Sequence, residues 1–131
     1  MQVALSLARA SCFPIILYGL PAIPLSQSEI NNLAFVYNSV FVKLFNIKDP
    51  SSIALCQFYS NYWPFSVMYE FHRFCFLASQ FVNCDVCHVN SPDHPDYLEM
   101  INLAAKYRFT CCDSKAMLKF KTWRFLESSL L

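Results

Sequence analysis

The chain has 131 residues and a formal net charge of +1, and 56% of its residues are hydrophobic, 17% aromatic and only 15% charged. This length suits one domain, and the near-neutral balance excludes a global field that would draw the whole chain onto nucleic acid or acidic lipid. The apolar share exceeds that of an ordinary soluble domain, so we expect some apolar surface to need a partner. A single glycine leaves little material for hairpin turns with positive φ, which favours helices.

Residues 3–17 are apolar almost all round at helical spacing, which predicts a helix enclosed by other elements. Pro14 cannot donate a hydrogen bond to the carbonyl of Ala10, so we expect a kink or break there. Arg9 lies near the middle of the run, and a central arginine costs about 2.5 to 3.5 kcal/mol on membrane insertion. We therefore expect neither a signal peptide nor a membrane span in this segment.

A second helix is predicted to begin at Ser26, because Ser26 and Glu29 have the spacing of a capping box. Leu25 and Ile30 flank this box in the positions of a hydrophobic staple. Apolar residues then recur at helical spacing as far as Phe45. The pattern predicts an amphipathic helix over this whole stretch.

Two apolar residues of the second helix, Phe35 and Val42, lie among its polar positions. They are seven residues apart and therefore on one stripe of the helix. We expect this stripe to contact a partner beyond the domain's own core. In isolation the chain is expected to self-associate.

Turn and cap signals predict the remaining helices. They run from Pro50 to about Tyr59, from Ser66 to Val82, from Asp96 to Tyr107 and from Ser114 to Leu130. We therefore expect an all-α fold, an irregular bundle of five or six helices. The organisation expected is a helical bundle over residues 1–83 and a C-terminal helical extension over 84–131, with an acidic loop and a basic helix, packed as one compact unit.

The chain has seven cysteines, an odd number that lies mostly inside apolar runs, as expected of reduced thiols in an intracellular protein. Cys84 and Cys87 have the spacing of a zinc knuckle, and His94 and Cys111 follow them. The second half of such a motif is irregular, because Cys111 and Cys112 are adjacent. We therefore expect no metal site and no cofactor.

Six of the ten cations lie between Lys106 and Arg124. Aromatic side chains alternate with them around Trp123, a mixture that suits phosphate contact and base stacking. The alternative is a solvated amphipathic helix end, because Lys121 and Arg124 project away from Lys115 and Lys119 on a helical wheel. Both interpretations stay open.

The segment Phe13-Pro14-Ile15-Ile16-Leu17-Tyr18-Gly19 ends an apolar helix on the only glycine of the chain, and the helix capped at Ser26 follows it. This arrangement resembles the region just past the palm in reverse transcriptases of non-LTR (LINE-type) retrotransposons. That region is the thumb. The resemblance covers about residues 3 to 80.

The resemblance implies a non-catalytic fragment of a longer RNA-directed DNA polymerase, cytoplasmic or nuclear, rather than an enzyme. Catalysis in that family uses two metal ions held by carboxylates, including a pair of adjacent aspartates in the palm. The five aspartates of this chain are scattered, so no catalytic residue is carried over. The expected partners are the missing palm and an RNA–DNA or RNA template–primer duplex.

The cations available for phosphates under this interpretation are Lys43, Lys48, Arg73, Lys115, Lys119, Lys121 and Arg124. Lys43 and Lys48 are favoured, because they flank the end of the resembled helix. The alternative function comes from another class, an all-helical protein–protein interaction module without nucleic-acid binding. Phe35, Val42 and the surplus aromatic residues would then form its docking surface.

Overall fold

The computed structural model describes residues 2–82, 94–110 and 113–131. Within these ranges the chain is helical and contains no strand, which confirms the predicted all-α class. The helical elements are α1 (Gln2–Leu7), a π-helical turn (Ala8–Cys12), α2 (Phe13–Leu17), a 3-10 turn (Leu20–Ala22), α3 (Gln27–Phe45), α4 (Pro50–Tyr59), α5 (Phe65–Val82), α6 (Pro95–Tyr107) and α7 (Lys115–Leu130).

The predicted cap at the start of α3 is confirmed. The hydroxyl of Ser26 accepts a hydrogen bond from the backbone N–H of Glu29, and the Glu29 carboxylate accepts one from the Ser26 N–H at 2.8 Å. Asp49 caps α4 in the same way, since its carboxylate accepts from the Ser52 N–H at 2.9 Å. These side chains satisfy amide groups that have no partner inside the helix.

Pro14 changes the hydrogen bonding of the first helix without ending it. The backbone N–H of Phe13 donates to the Ala8 carbonyl, five residues back, in a π turn directly before the proline. The helix then continues through α2 and stops at Tyr18, whose backbone is extended. Gly19 follows with φ of 74°, a left-handed conformation that glycine adopts at low cost.

The expectation that the first helix is enclosed is wrong for most of its length. Val3, Leu7, Ile15 and Tyr18 are 62–89% exposed, and we call these four residues the apolar face. Among the described residues, Gln2–Ala22 is the one segment with the length and mean hydropathy, 1.6, of a candidate membrane span. Only 17% of its apolar 18-residue stretch is buried. Core helices of soluble proteins and signal sequences also meet these criteria.

The chain divides into two compact units, Met1–Tyr69 and Glu70–Leu131, which meet within α5. The boundary predicted from the sequence lies at 83/84 instead, and the predicted acidic loop falls largely outside the described residues.

The core of the first unit is an aromatic cluster. The rings of Phe13 and Tyr37 are 4.7 Å apart, and Phe13, Phe41 and Tyr62 pack at 5.6–6.4 Å from one another. The hydroxyls at the edge of this cluster are satisfied, since Tyr37 donates to the Trp63 carbonyl at 2.8 Å and Tyr62 to that of Leu5 at 3.1 Å. The first helix is therefore held through one side only.

The second unit packs three helices around a separate aromatic core. Phe74 of α5 lies 4.8 Å from Phe109, and Tyr107 of α6 lies 4.7 Å from Phe125 of α7. Leu118, Thr122 and Leu126 form the buried side of α7. The other sides of α7 carry its cations.

Candidate nucleic-acid interface and apolar surface

Lys43 and Lys48 are the cations of the first unit that the sequence favours. Lys43 lies in the last turn of α3 and Lys48 just beyond the helix end, and both are exposed. Neither forms an ion pair with a carboxylate in the described ranges. A lysine at a helix C-terminus also stabilises the helix dipole, so position alone does not distinguish a phosphate contact from a structural role.

Arg73 is not available for phosphates, and that prediction is wrong. The side chain is buried, with 1% of the residue exposed. Its guanidinium donates to both carboxylate oxygens of Glu99, at 3.1 and 3.0 Å, and to Asp96 at 3.4 Å. The bidentate pair joins α5 to the start of α6, which makes Arg73 a structural residue.

Lys121 is also engaged within the protein. Its ammonium donates to the carboxylate of Asp113, which precedes the N-cap residue Ser114 of α7. This hydrogen bond, together with those from Thr110, lowers the pKa of Asp113 to about 2. Lys121 is therefore already engaged by a carboxylate, and its contact with phosphates stays a prediction.

A carboxylate of α5 binds Lys106, the second of the cations between Lys106 and Arg124 that is paired within the protein. Lys106 donates to Glu70 at 2.8 Å, and the Tyr107 hydroxyl donates to the same carboxylate. Burial raises the pKa of Tyr107 most, and the hydrogen bond to Glu70 raises it further.

Lys115, Lys119 and Arg124 remain exposed on α7. None of them forms an ion pair with a carboxylate that the structure describes. The Arg124 guanidinium lies 5.8 Å above the ring of Phe120, which is itself exposed. An exposed ring beside a cation is the arrangement on which bases stack.

The half-buried His72 of α5 lies near the first two turns of α7. Burial lowers its pKa most, and the ammonium groups of Lys115 and Lys119 lower it further. Lys115 also acts on the thiol of Cys75, whose pKa is nonetheless raised by burial. No sequence pattern indicated that these lysines act on His72.

The predicted partner stripe of α3 is only half exposed. Phe35 is 77% exposed, and its neighbour Val36 is also exposed. Val42 instead packs against the core of the first unit, which explains its apolar character without a partner. The exposed large apolar side chains of this unit therefore include Phe35 and Val36 on α3 and the apolar face of the first helix, together with Ile23 and Tyr59.

The described residues contain no group of three or more His, Cys, Asp or Glu side chains that could hold a metal ion. Cys84, Cys87 and Cys111, the thiols considered for zinc, lie outside these residues. His94 is described, and its Nδ1 accepts from the backbone N–H of Asp96 as the N-cap of α6.

Comparisons with protein-family models, curated proteins and solved structures found no match to this chain.

Proposed function

We propose that this chain is a non-catalytic helical binding module, similar to the thumb of LINE-type reverse transcriptases, that contacts a template–primer duplex within a longer RNA-directed DNA polymerase. The observation that carries the proposal is that some cations are paired with carboxylates and others are exposed without a described ion pair. Arg73, Lys106 and Lys121 are paired with carboxylates, whereas Lys43, Lys48, Lys115 and Lys119 stay exposed and form no described ion pair.

The backbone around the resembled motif supports the same proposal. The apolar helix ends at Tyr18, Gly19 adopts a left-handed conformation, and α3 begins at a complete capping box on Ser26. The resemblance rests on the sequence of these same segments. Lys43 and Lys48 follow at the far end of the same helix.

Duplex binding tests the proposal. A fluorescein-labelled RNA–DNA duplex is titrated with the full chain and followed by anisotropy between 50 and 200 mM salt. Because each phosphate contact releases counterions, every contact contributes about a threefold loss of affinity over this range. The double variant K43Q/K48Q should therefore bind more weakly and show a shallower salt dependence.

R9Q is the matched control, since it removes a positive charge from the same unit. The Arg9 guanidinium lies over the ring of Tyr62, 5.6 Å from its centre. This variant should leave both the affinity and the salt dependence unchanged. Absence of duplex binding at 50 mM salt, or binding without salt dependence, contradicts the proposal.

The proposal also implies that the chain does not synthesise DNA. No two aspartates are adjacent in the sequence, and Asp49 and Asp113 serve as a helix cap and an ion-pair partner. Two-metal catalysis needs carboxylates that share metal ions about 4 Å apart. Primer extension by a homogeneous preparation in magnesium or manganese is the contradicting result.

A second candidate function, a protein interaction module without nucleic-acid binding, is favoured by the apolar face. Four large apolar side chains are exposed to solvent there, and exposed apolar patches mark protein–protein interaction sites. Crosslinking with the intact chain and with I15E compares the neighbours captured in cells. Partners lost in I15E, together with no duplex binding, support this function over the first.

A further inference from the structure

The apolar face of the first helix stays on one side although a π turn interrupts the helix. Val3 and Ile15 are twelve residues apart, which in a regular α-helix of 3.6 residues per turn places them about a third of a turn from each other. The hydrogen bond of the π turn at Ala8–Cys12 spans five residues instead of four, so the turn takes up about one extra residue. Ile15 therefore lies on nearly the same side as Val3, and Leu7 lies between them.

The opposite side of the first helix belongs to the core of the first unit. Leu5, Ala8 and Phe13 are buried there. The backbone carbonyl of Leu5 also accepts a hydrogen bond from the Tyr62 hydroxyl at 3.1 Å. A helix attached in this way has only one side left for an apolar environment, as have the interfacial helices that lie in the plane of a membrane surface.

The charges of this segment suit the headgroups of anionic lipids. Arg9 is the only charged residue of Gln2–Ala22, and the first carboxylate in the sequence is that of Glu29. The Arg9 side chain does not interrupt the apolar face, because it lies over the ring of Tyr62, which packs on Phe13 of the buried side. An apolar stripe beside a cation, without acidic residues, is typical of helices that bind anionic membranes.

We propose that the apolar face binds the surface of a lipid membrane, with the first helix parallel to the membrane plane and the rest of the first unit in water. Val3, Leu7 and Ile15 enter the boundary of the acyl chains. The hydroxyl of Tyr18, at the end of the face, stays at the level of the headgroups, where tyrosine is enriched. This proposal is independent of duplex binding, because it uses none of the cations that the proposed function assigns to phosphates.

Vesicle flotation of the full chain tests this surface. The chain is mixed with vesicles of phosphatidylcholine, with or without phosphatidylserine, and centrifuged in a density gradient. Membrane-bound chain rises with the vesicles, whereas self-associated chain sediments. The intact chain should float with vesicles that contain phosphatidylserine and bind about fivefold less tightly to phosphatidylcholine alone, since one cation near an anionic surface contributes about that factor.

I15S and F35S form a matched pair, since the two side chains are 76% and 77% exposed. Phe35 lies away from the first helix, because Tyr37 of α3 faces Phe13 at 4.7 Å and residues two apart on a helix do not share a side. I15S should lose about tenfold in vesicle affinity with its aliphatic carbons, whereas F35S should bind like the intact chain. Equal urea midpoints for the two variants show that both remain folded.

Three results overturn the inference. If the intact chain does not float while I15E loses crosslinked protein partners, the apolar face is a protein interface and the second candidate function is favoured instead. If I15S floats as well as F35S, the face does not make the lipid contact. If alkaline extraction leaves the chain in the membrane, the segment spans the bilayer rather than lying on its surface.

Flotation of the intact chain, its loss in I15S and release by alkaline extraction together support the membrane-surface contact.

Discussion

Burial and pairing decide which individual cations can meet a phosphate, and Arg73 is the clearest case. Replacing Arg73 with methionine keeps an apolar stem and removes the hydrogen bonds to Glu99 and Asp96. Because both carboxylates stay partly solvated, the expected loss in the free energy of unfolding is about 2 kcal/mol, as for hydrogen bonds to charged groups. Urea denaturation measures it. R124M should change the urea midpoint little, and an unchanged midpoint in R73M contradicts the structural role.

Asp113 gives a prediction in pH. Its pKa in the fold is about 2, below the ordinary value of 3.8, so the unfolded chain takes up more protons between these values. The free energy of unfolding should therefore fall as the pH drops from about 3.8 to about 2. D113N and K121M should both show a smaller fall. Thermal melts over this pH range measure it, and equal slopes in all three chains contradict the ion pair.

For individual residues, the sequence predicted the spacing of the cations better than it predicted which of them are buried or paired with carboxylates. The lysine spacing at Lys115 and Lys119 was visible, and both residues are exposed. The pairing of Arg73 with Glu99 was not visible, because the two residues are 26 positions apart and meet only when α5 packs on α6. Side-chain availability depends on such tertiary contacts.

Helix ends are the parts of this fold that neighbouring residues in the sequence determine most directly. A substitution of Ser26 measures how much the capping box contributes to the free energy of unfolding. S26A removes a hydroxyl that accepts from the Glu29 N–H, so a loss of about 1 kcal/mol in the free energy of unfolding is expected. S28A is the matched control, two residues later and also exposed in α3. Equal urea midpoints for the two variants contradict the contribution of the cap.

Gly19 provides a second test at the same scale. Its φ of 74° disfavours side chains, yet a Cβ placed there meets no atom within 4 Å. G19A should therefore lose about 1 kcal/mol through backbone strain alone. G19N should lose less, because asparagine adopts this conformation more readily. A G19A chain as stable as the original contradicts the left-handed turn.

Local signals also explain which elements the sequence predicted well. The start of α3 depends on residues three positions apart, and Asp49-Pro50 similarly marks the start of α4. The π turn at Ala8–Cys12 was predicted only as a kink, because proline removes a hydrogen bond but does not determine how the neighbouring carbonyls are used instead.

For the whole molecule, the sequence predicted apolar surface that the fold does not cover, but it wrongly assigned Val42 to that surface. We expect the chain to self-associate, and I15S and F35S to reduce light scattering at high micromolar concentration, since both side chains are more than 70% exposed. V42S should instead lower the urea midpoint, because Val42 packs against the core. A monomeric chain whose scattering is unchanged in I15S and F35S contradicts the prediction.

The apolar face also determines how stability depends on temperature. The heat capacity rises on unfolding by about 0.45 cal/mol/K for each Å² of apolar surface that becomes exposed. Val3, Leu7, Ile15 and Tyr18 are already largely exposed in the fold, so they add little to that change. The stability curve of the isolated chain should be flatter than its 56% hydrophobic content implies. A partner that covers this face would bury its apolar surface, and the binding would then show a negative change in heat capacity.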